Sequence, residues 1–158
     1  MADNRVFLTE EGLREKQEKL EYLKTVRRAE ISEQIKEARA FGDLSENAEY
    51  DEAKNEQAKV ENEIAQLEKL LRNAVIVDDE SIDSTTVNIG TRVRILDMDL
   101  GEEEEYMIVS SVEADAEKKR ISNESPVGSA LMGKKVGETA TVETPAGKIT
   151  LKILNIHK

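Results

Sequence analysis

Residues 1–77 contain no proline, and glycine only at Gly12 and Gly42. Proline removes a helical N–H and clashes with the preceding turn, so a stretch this long without it permits unusually long helices. Thr9 is placed to cap a first helix, with Glu10 and Glu11 in the first turn where carboxylates meet the positive end of the helix dipole. Its apolar positions are Leu13, Leu20, Leu23, Ile31, Ile35 and Ala38, a stripe broken near Arg27 and Arg28. A second stripe, Ala53, Gln57, Val60, Ile64, Leu67, Leu71 and Ala74, keeps spacings of four and three throughout. That is the seam of a coiled coil.

A short connection forces neighbouring helices to run in opposite directions, so the two stripes predict an antiparallel hairpin. At about 1.5 Å of rise per residue, Leu13 to Phe41 gives an arm of roughly 42 Å. The same seam could serve a dimerising coiled coil; a monomer is the expectation here.

Residues 78–90, DDESIDSTTVNIG, interrupt the helical pattern with acidic and hydroxyl side chains and read as a linker. Beyond them TRVRIL alternates, EEYMIVSSV is rich in β-branched and aromatic residues, and ETATVETPAGKITLKIL reads as a hairpin turning at Pro145 to Gly147. Ser125 is a candidate N-cap, Pro126 a first helical residue and Gly133 a terminator. The expected fold class is α+β: an N-terminal antiparallel coiled-coil hairpin over 1–77, a linker over 78–90 and a small antiparallel-sheet domain over 91–158.

Composition limits what such a chain can do. Of 158 residues, 38% are hydrophobic and 36% charged, which argues against a single large core. Without Cys there are no disulfides, thiolate metal sites or thiol chemistry, which fits a reducing compartment. No segment is apolar and long enough to span a membrane, and a cytoplasmic protein is expected. The formal net charge of −11 excludes a general DNA or RNA binder, because phosphate affinity needs basic residues that release counterions. Contact with nucleic acid is expected to be local, or arranged by a partner.

The connection between the two helical stripes concentrates the candidate chemistry. From Asp43 to Glu52 it carries Asp43, Glu46, Glu49, Asp51 and Glu52 with no basic residue between them. Gly42 suits a chain reversal. Asp43 and Glu46, three residues apart, can bring their carboxylates together at the opening of a helix and hold a hard cation. Magnesium commonly takes one or two carboxylates, keeps several waters and completes its shell with substrate phosphates. Two carboxylates on a convex tip are half of such a site, so the other half has to come from a partner. The same residues also match a capping box, Asp43 capping the second helix and Glu46 reaching back, and the two roles can coexist. Glu49, Asp51 and Glu52 read as a solvated face. Lys36, Arg39 and Lys54 flank the cluster and either meet phosphates or simply solubilise the surface. The single histidine, His157, lies far along the chain and completes no nucleophile-base set.

The stretches GDLSENAEYDEAK, FLTEEGLREKQEKLEYLKTVRR, ISNESPVGSALMGKKVGE and VETPAGK together resemble the GreA/GreB family of bacterial transcript cleavage factors, over essentially the whole chain. The resemblance implies a coiled-coil hairpin followed by a domain of FKBP-like fold that docks on RNA polymerase. It implies that the tip reaches the catalytic centre through the secondary channel and stimulates cleavage of the 3′ end of the nascent RNA in a backtracked complex. Asp43 and Glu46 match the family's essential acidic pair, sharing Mg2+ with the polymerase rather than binding it tightly in the free protein. Gly42, Leu44, Ser45 and Asn47 match the supporting tip, and Lys36, Arg39 and Lys54 are candidates for contact with RNA. On this reading the chain activates another enzyme and is not one itself. A strongly basic face of the GreB type is not evident, which favours the GreA type. Prolyl isomerase activity is not implied, since the only aromatic beyond residue 77 is Tyr106. Two other classes remain: a secondary-channel regulator without cleavage, which would be expected to lose GDLSEN, and a coiled-coil adaptor or chaperone, which would need more apolar tip residues than Phe41 and Leu44.

Overall fold

A computed structural model describes residues 4–42, 47–78, 80 and 82–158. The chain divides into two compact units, a hairpin of residues 13–73 and a sheet unit that combines residues 1–12 with 74–158.

In the hairpin, α1 (Glu10–Tyr22) passes through a π-helical turn (Leu23–Arg27) into α2 (Arg28–Arg39), and α3 (Ala48–Arg72) returns antiparallel to them. The predicted stripes meet: Leu23, Ile31 and Ile35 pack with Ala53, Val60, Ile64 and Leu67 in one buried cluster. Leu23 and Ile31 stand one residue further apart than the seven that return a helix to the same face. The π turn absorbs that extra residue, which is why the stripe looked broken at Arg27 and Arg28. Ion pairs tie the helices along the seam, Lys19 to Glu63 at 2.7 Å and Arg27 to Glu56 at 3.4 Å. Arg28 grips Glu61 with two bonds of 2.8 and 2.7 Å, and that hydrogen bonding holds the Glu61 carboxyl below its usual range.

The second helix ends before Ala74. Asn73 is the C-cap of α3, and the β-branched run that follows forms β2 (Ala74–Val77), pairing in parallel with β1 (Val6–Thr9), Val6 opposite Ala74 and Thr9 opposite Val77. Both strands therefore group with the C-terminal unit and not with the hairpin expected over 1–77. Leu8 is fully buried there. The stretch expected as a linker is packed as well: Val87 belongs to the sheet core and Ile82 is buried. A Cβ on Gly90, which adopts a φ of +98°, would come within 2.8 Å of Ile82 and 3.1 Å of Val77. Asp78, Glu80, Asp83 and Thr85 are exposed around these apolar anchors, and composition alone concealed them.

Five strands make the main sheet: β3 (Arg92–Asp97), β4 (Glu102–Val109), β5 (Arg120–Ser122), β6 (Thr139–Thr144) and β7 (Gly147–His157), in spatial order β5-β4-β3-β7-β6. Pairing is antiparallel except between β4 and β5. The fold is thus α+β with a mostly antiparallel sheet, as expected from the sequence. The predicted turn joins β6 to β7, with Thr144 opposite Gly147 and Gly147 at a φ of +125°. Alternation in β7 shifts phase, since Leu151 and Ile153 are buried two apart but Ile156 follows after three. A bulge explains this: Arg94 pairs with Asn155 and Ile95 with Ile153, leaving Leu154 as the extra residue. The short helix α4 (Pro126–Leu131) is capped by Ser125, whose Oγ accepts from Gly128 N at 3.0 Å, and Gly133 follows at a φ of +78°. Leu131 from α4 joins Val93, Ile95, Ile108 and Ile153 in the core. Gly128 is required by contact, because a Cβ there would lie 1.9 Å from the Ser122 carbonyl oxygen. Among the described residues no helix is long and apolar enough to cross a membrane.

Candidate functional site

The tip is built from the two helix ends that border it. α2 unwinds through Phe41 N to Ala38 O and Gly42 N to Arg39 O, both 3.2 Å, and Gly42 then takes a φ of +104° with open space around the position of a Cβ. A side chain is strained in that region of backbone space, so the glycine is required by conformation rather than by crowding. On the return, Asn47 caps α3: its backbone is extended and its Oδ1 accepts from Tyr50 N at 3.1 Å. Its Nδ2 donates to Ala38 O at 2.6 Å, so one side chain closes the start of α3 onto the end of α2.

This corrects the capping-box expectation. The N-cap of α3 is Asn47, and the residue three positions on is Tyr50, not an acid. Asp43, Leu44, Ser45 and Glu46 lie outside the described residues. Asn47 was expected only as a supporting tip residue, although an Asn ahead of AEYDEA is itself a cap signal. Asn47→Ala is expected to lower stability by about 1–2 kcal/mol through the lost cap and the orphaned Ala38 carbonyl. Thermal melting followed by helical circular dichroism measures it, and an unchanged midpoint would show the cap to be dispensable.

The other candidates lie on the two helices that lead to and from the tip. Lys36 and Arg39 are exposed on α2, with the Arg39 guanidinium 5.9 Å from the centroid of the Tyr50 ring. Lys54 is exposed on α3 and donates to Gln57 Oε1 at 3.1 Å. Glu49, Asp51 and Glu52 are exposed, as a solvated face should be, and the first two stand in the first turn of α3 where the helix dipole favours them. An open groove of about 410 Å³ runs beside the tip, lined by Arg27, Glu37, Phe41, Glu49, Glu52 and Glu56. Phe41 is 74% exposed. Among the described residues no group of three or more Asp, Glu or His is placed to hold a metal ion.

The sheet unit carries a separate groove of about 280 Å³, floored by Ile95, Val142, Ile149 and Leu151 and bordered by Tyr106 and the exposed Leu100. Tyr106 donates its hydroxyl hydrogen to Glu104. That bond, with burial second, pushes the phenol up to about 12. The stabilisation is complete below the ordinary phenol pKa of ~10 and is lost as pH rises through about 12. Tyr106→Phe is expected to abolish the latest step of a tyrosinate absorbance titration, and Glu104→Gln to move that step to lower pH. If the step lost in Tyr106→Phe keeps its pH in Glu104→Gln, the bond is ruled out.

Sequence reasoning missed one polar cluster in the sheet unit. Glu113, only 4% exposed, accepts from Thr9 N at 2.9 Å and from Thr9 Oγ1 at 2.6 Å, while Thr9 Oγ1 accepts from Gly12 N at 3.0 Å. Arg120, 5% exposed, pairs with Glu11 at 2.9 Å. The Thr9 cap itself was legible. Its partner more than a hundred positions away was not, because no local pattern marks Glu113.

The family described as "Transcription elongation factor, N-terminal" matches residues 6–76, and that described as "Transcription elongation factor, GreA/GreB, C-term" matches residues 82–158. The chain is 60% identical to the transcription elongation factor GreA of Caldanaerobacter subterraneus subsp. tengcongensis over 97% of its length and 98% of the relative's. It is 55% identical to the GreA of Acetivibrio thermocellus, with all of both chains covered. Among solved structures, GreA factor homolog 1 (Gfh1) of Thermus thermophilus is 31% identical over 98% of this chain and 99% of that one, at a TM-score of 0.45. With both family regions present in order and relatives matched end to end, the chain belongs to the GreA/GreB family of transcription elongation factors.

Proposed function

We propose that this protein binds RNA polymerase and stimulates the enzyme's own cleavage of the 3′ end of a backtracked transcript, so that an arrested complex resumes from a new end. The observation that carries the mechanism is the Asn47 cap. With α3 closed by Asn47, capping this helix is not the role that Asp43 and Glu46 are needed for. Both supply hard oxygen donors of the kind magnesium takes, and two are too few to hold it without a partner. Such an ion would supply Lewis-acid chemistry to the hydrolysis. Asp43 and Glu46 would be this chain's share of its ligands, and the remaining ligands would come from the polymerase. Membership of the family and the unbroken GDLSEN sequence support this reading.

A stalled, backtracked elongation complex carrying 5′-labelled RNA tests it. Shortening of the labelled transcript, with release of short 3′ fragments, is expected only when this protein is added. Binding to the complex without cleavage would instead favour a regulator of the non-cleaving kind.

A further inference from the structure

Resting on that reading, we propose that Glu113 is a positioning residue for transcript cleavage: its buried carboxylate clamps the first turn of α1, and cleavage depends on the clamp although Glu113 takes no part in the chemistry. A carboxylate this deeply buried is costly to keep unless its oxygens are bonded. Both oxygens of Glu113 are committed to one residue, Oε1 to Thr9 N and Oε2 to Thr9 Oγ1. Thr9 in turn holds Gly12 N, so the clamp closes over the orphan N–H groups that open α1. The fit leaves no slack, since a Cβ on Gly12 would lie 2.2 Å from Glu113 Oε1. The Arg120–Glu11 pair holds the same turn from a second buried position.

Such a cluster exceeds what a helix start needs, because a threonine cap works with solvent on its far side. From this turn α1 continues without a break to Tyr22. A group that brings charge to another enzyme's catalytic centre has to arrive in place, and small displacements are expensive there.

Three variants test the clamp in the full-length protein. Thr9→Val keeps the shape but loses the hydroxyl, Thr9→Ser keeps the hydroxyl, and Gly12→Ala displaces the Glu113 carboxylate while raising helix propensity. Thr9→Val and Gly12→Ala are expected to lower the maximal cleavage rate on the order of 10- to 100-fold, with half-saturation for polymerase within about twofold of the parent's and Thr9→Ser near the parent in both. In the free protein, amide exchange at residues 9–12 should quicken in Thr9→Val and Gly12→Ala while Ile108 and Ile153 stay protected. Unchanged exchange, or full maximal cleavage by a variant whose first turn exchanges faster, overturns the proposal. Parent protein that fails to cleave refutes the functional reading instead, and amide exchange then decides the clamp by itself.

Discussion

Asp43→Asn and Glu46→Gln are each expected to lose most transcript cleavage, by a factor of about 100 or more, the scale on which one charged group matters to a polarised transition state. Both variants should melt within a degree or two of the parent and compete with it for polymerase. Amides keep the size and much of the hydrogen bonding of the acids, but they lack the negative charge required by a metal ion and an activated water. The Asn47 cap sharpens this comparison. Had Asp43 been the N-cap, a loss of cleavage could have been blamed on a residue built for folding; since α3 is capped by Asn47, the side chain expected to carry stability is not one of the two proposed to carry cleavage. The expected pattern is a double dissociation, with Asn47→Ala losing stability and the two amide variants losing cleavage. Normal cleavage by both amide variants would show that the negative charges of Asp43 and Glu46 are not needed for cleavage.

The tip shows how a sequence can mark a chain reversal while misassigning the cap that follows it. Gly42 was legible because a positive φ leaves a chemical signature, the lack of a Cβ, in a stretch otherwise poor in glycine. The cap was misplaced because Asp43 and Glu46 satisfy the capping-box spacing, whereas Asn47 is committed by its second bond, to Ala38 O. That bond joins two helices and has no local signature. The helical seams were legible for the opposite reason, since burial on one face imposes a period that survives in the residues themselves.

The boundary between units was harder to see. Val75, Ile76 and Val77 continue an apolar run out of α3, and only pairing with β1 turns them into a strand. A parallel pair needs its two strands to come from distant parts of the chain, and here the whole hairpin lies between them. The β4–β5 pair escaped notice in the same way, while the β6–β7 hairpin, closed by a local turn, was plain. Ile82 and Val87 were hidden among acids and hydroxyls, where isolated apolar residues carry no period.

This arrangement has a measurable consequence for cutting the chain in two. A fragment of residues 78–158, the natural choice from the sequence pattern, omits both strands of the β1–β2 pair. It loses the fully buried Leu8, worth about 1.5–3 kcal/mol, and leaves the Glu113 carboxylate without its Thr9 partners, a loss of about 1–3 kcal/mol or more for a charged group. A second fragment, residues 4–12 joined to 74–158 through roughly ten Gly and Ser residues in place of the hairpin, keeps all of these contacts at the small entropic cost of a flexible linker. Denaturant unfolding should find the joined fragment more stable by about 4 kcal/mol, between the sums of these terms. The short fragment should also expose amides of β4, the strand that ends just before Glu113, to faster exchange. Adding Glu113→Ala separates the two contributions: it should cost the joined fragment part of its advantage and leave the short one almost unchanged, because the carboxylate there has already lost Thr9. Equal stability of the two fragments would mean that the first twelve residues are carried by the sheet unit without supporting it.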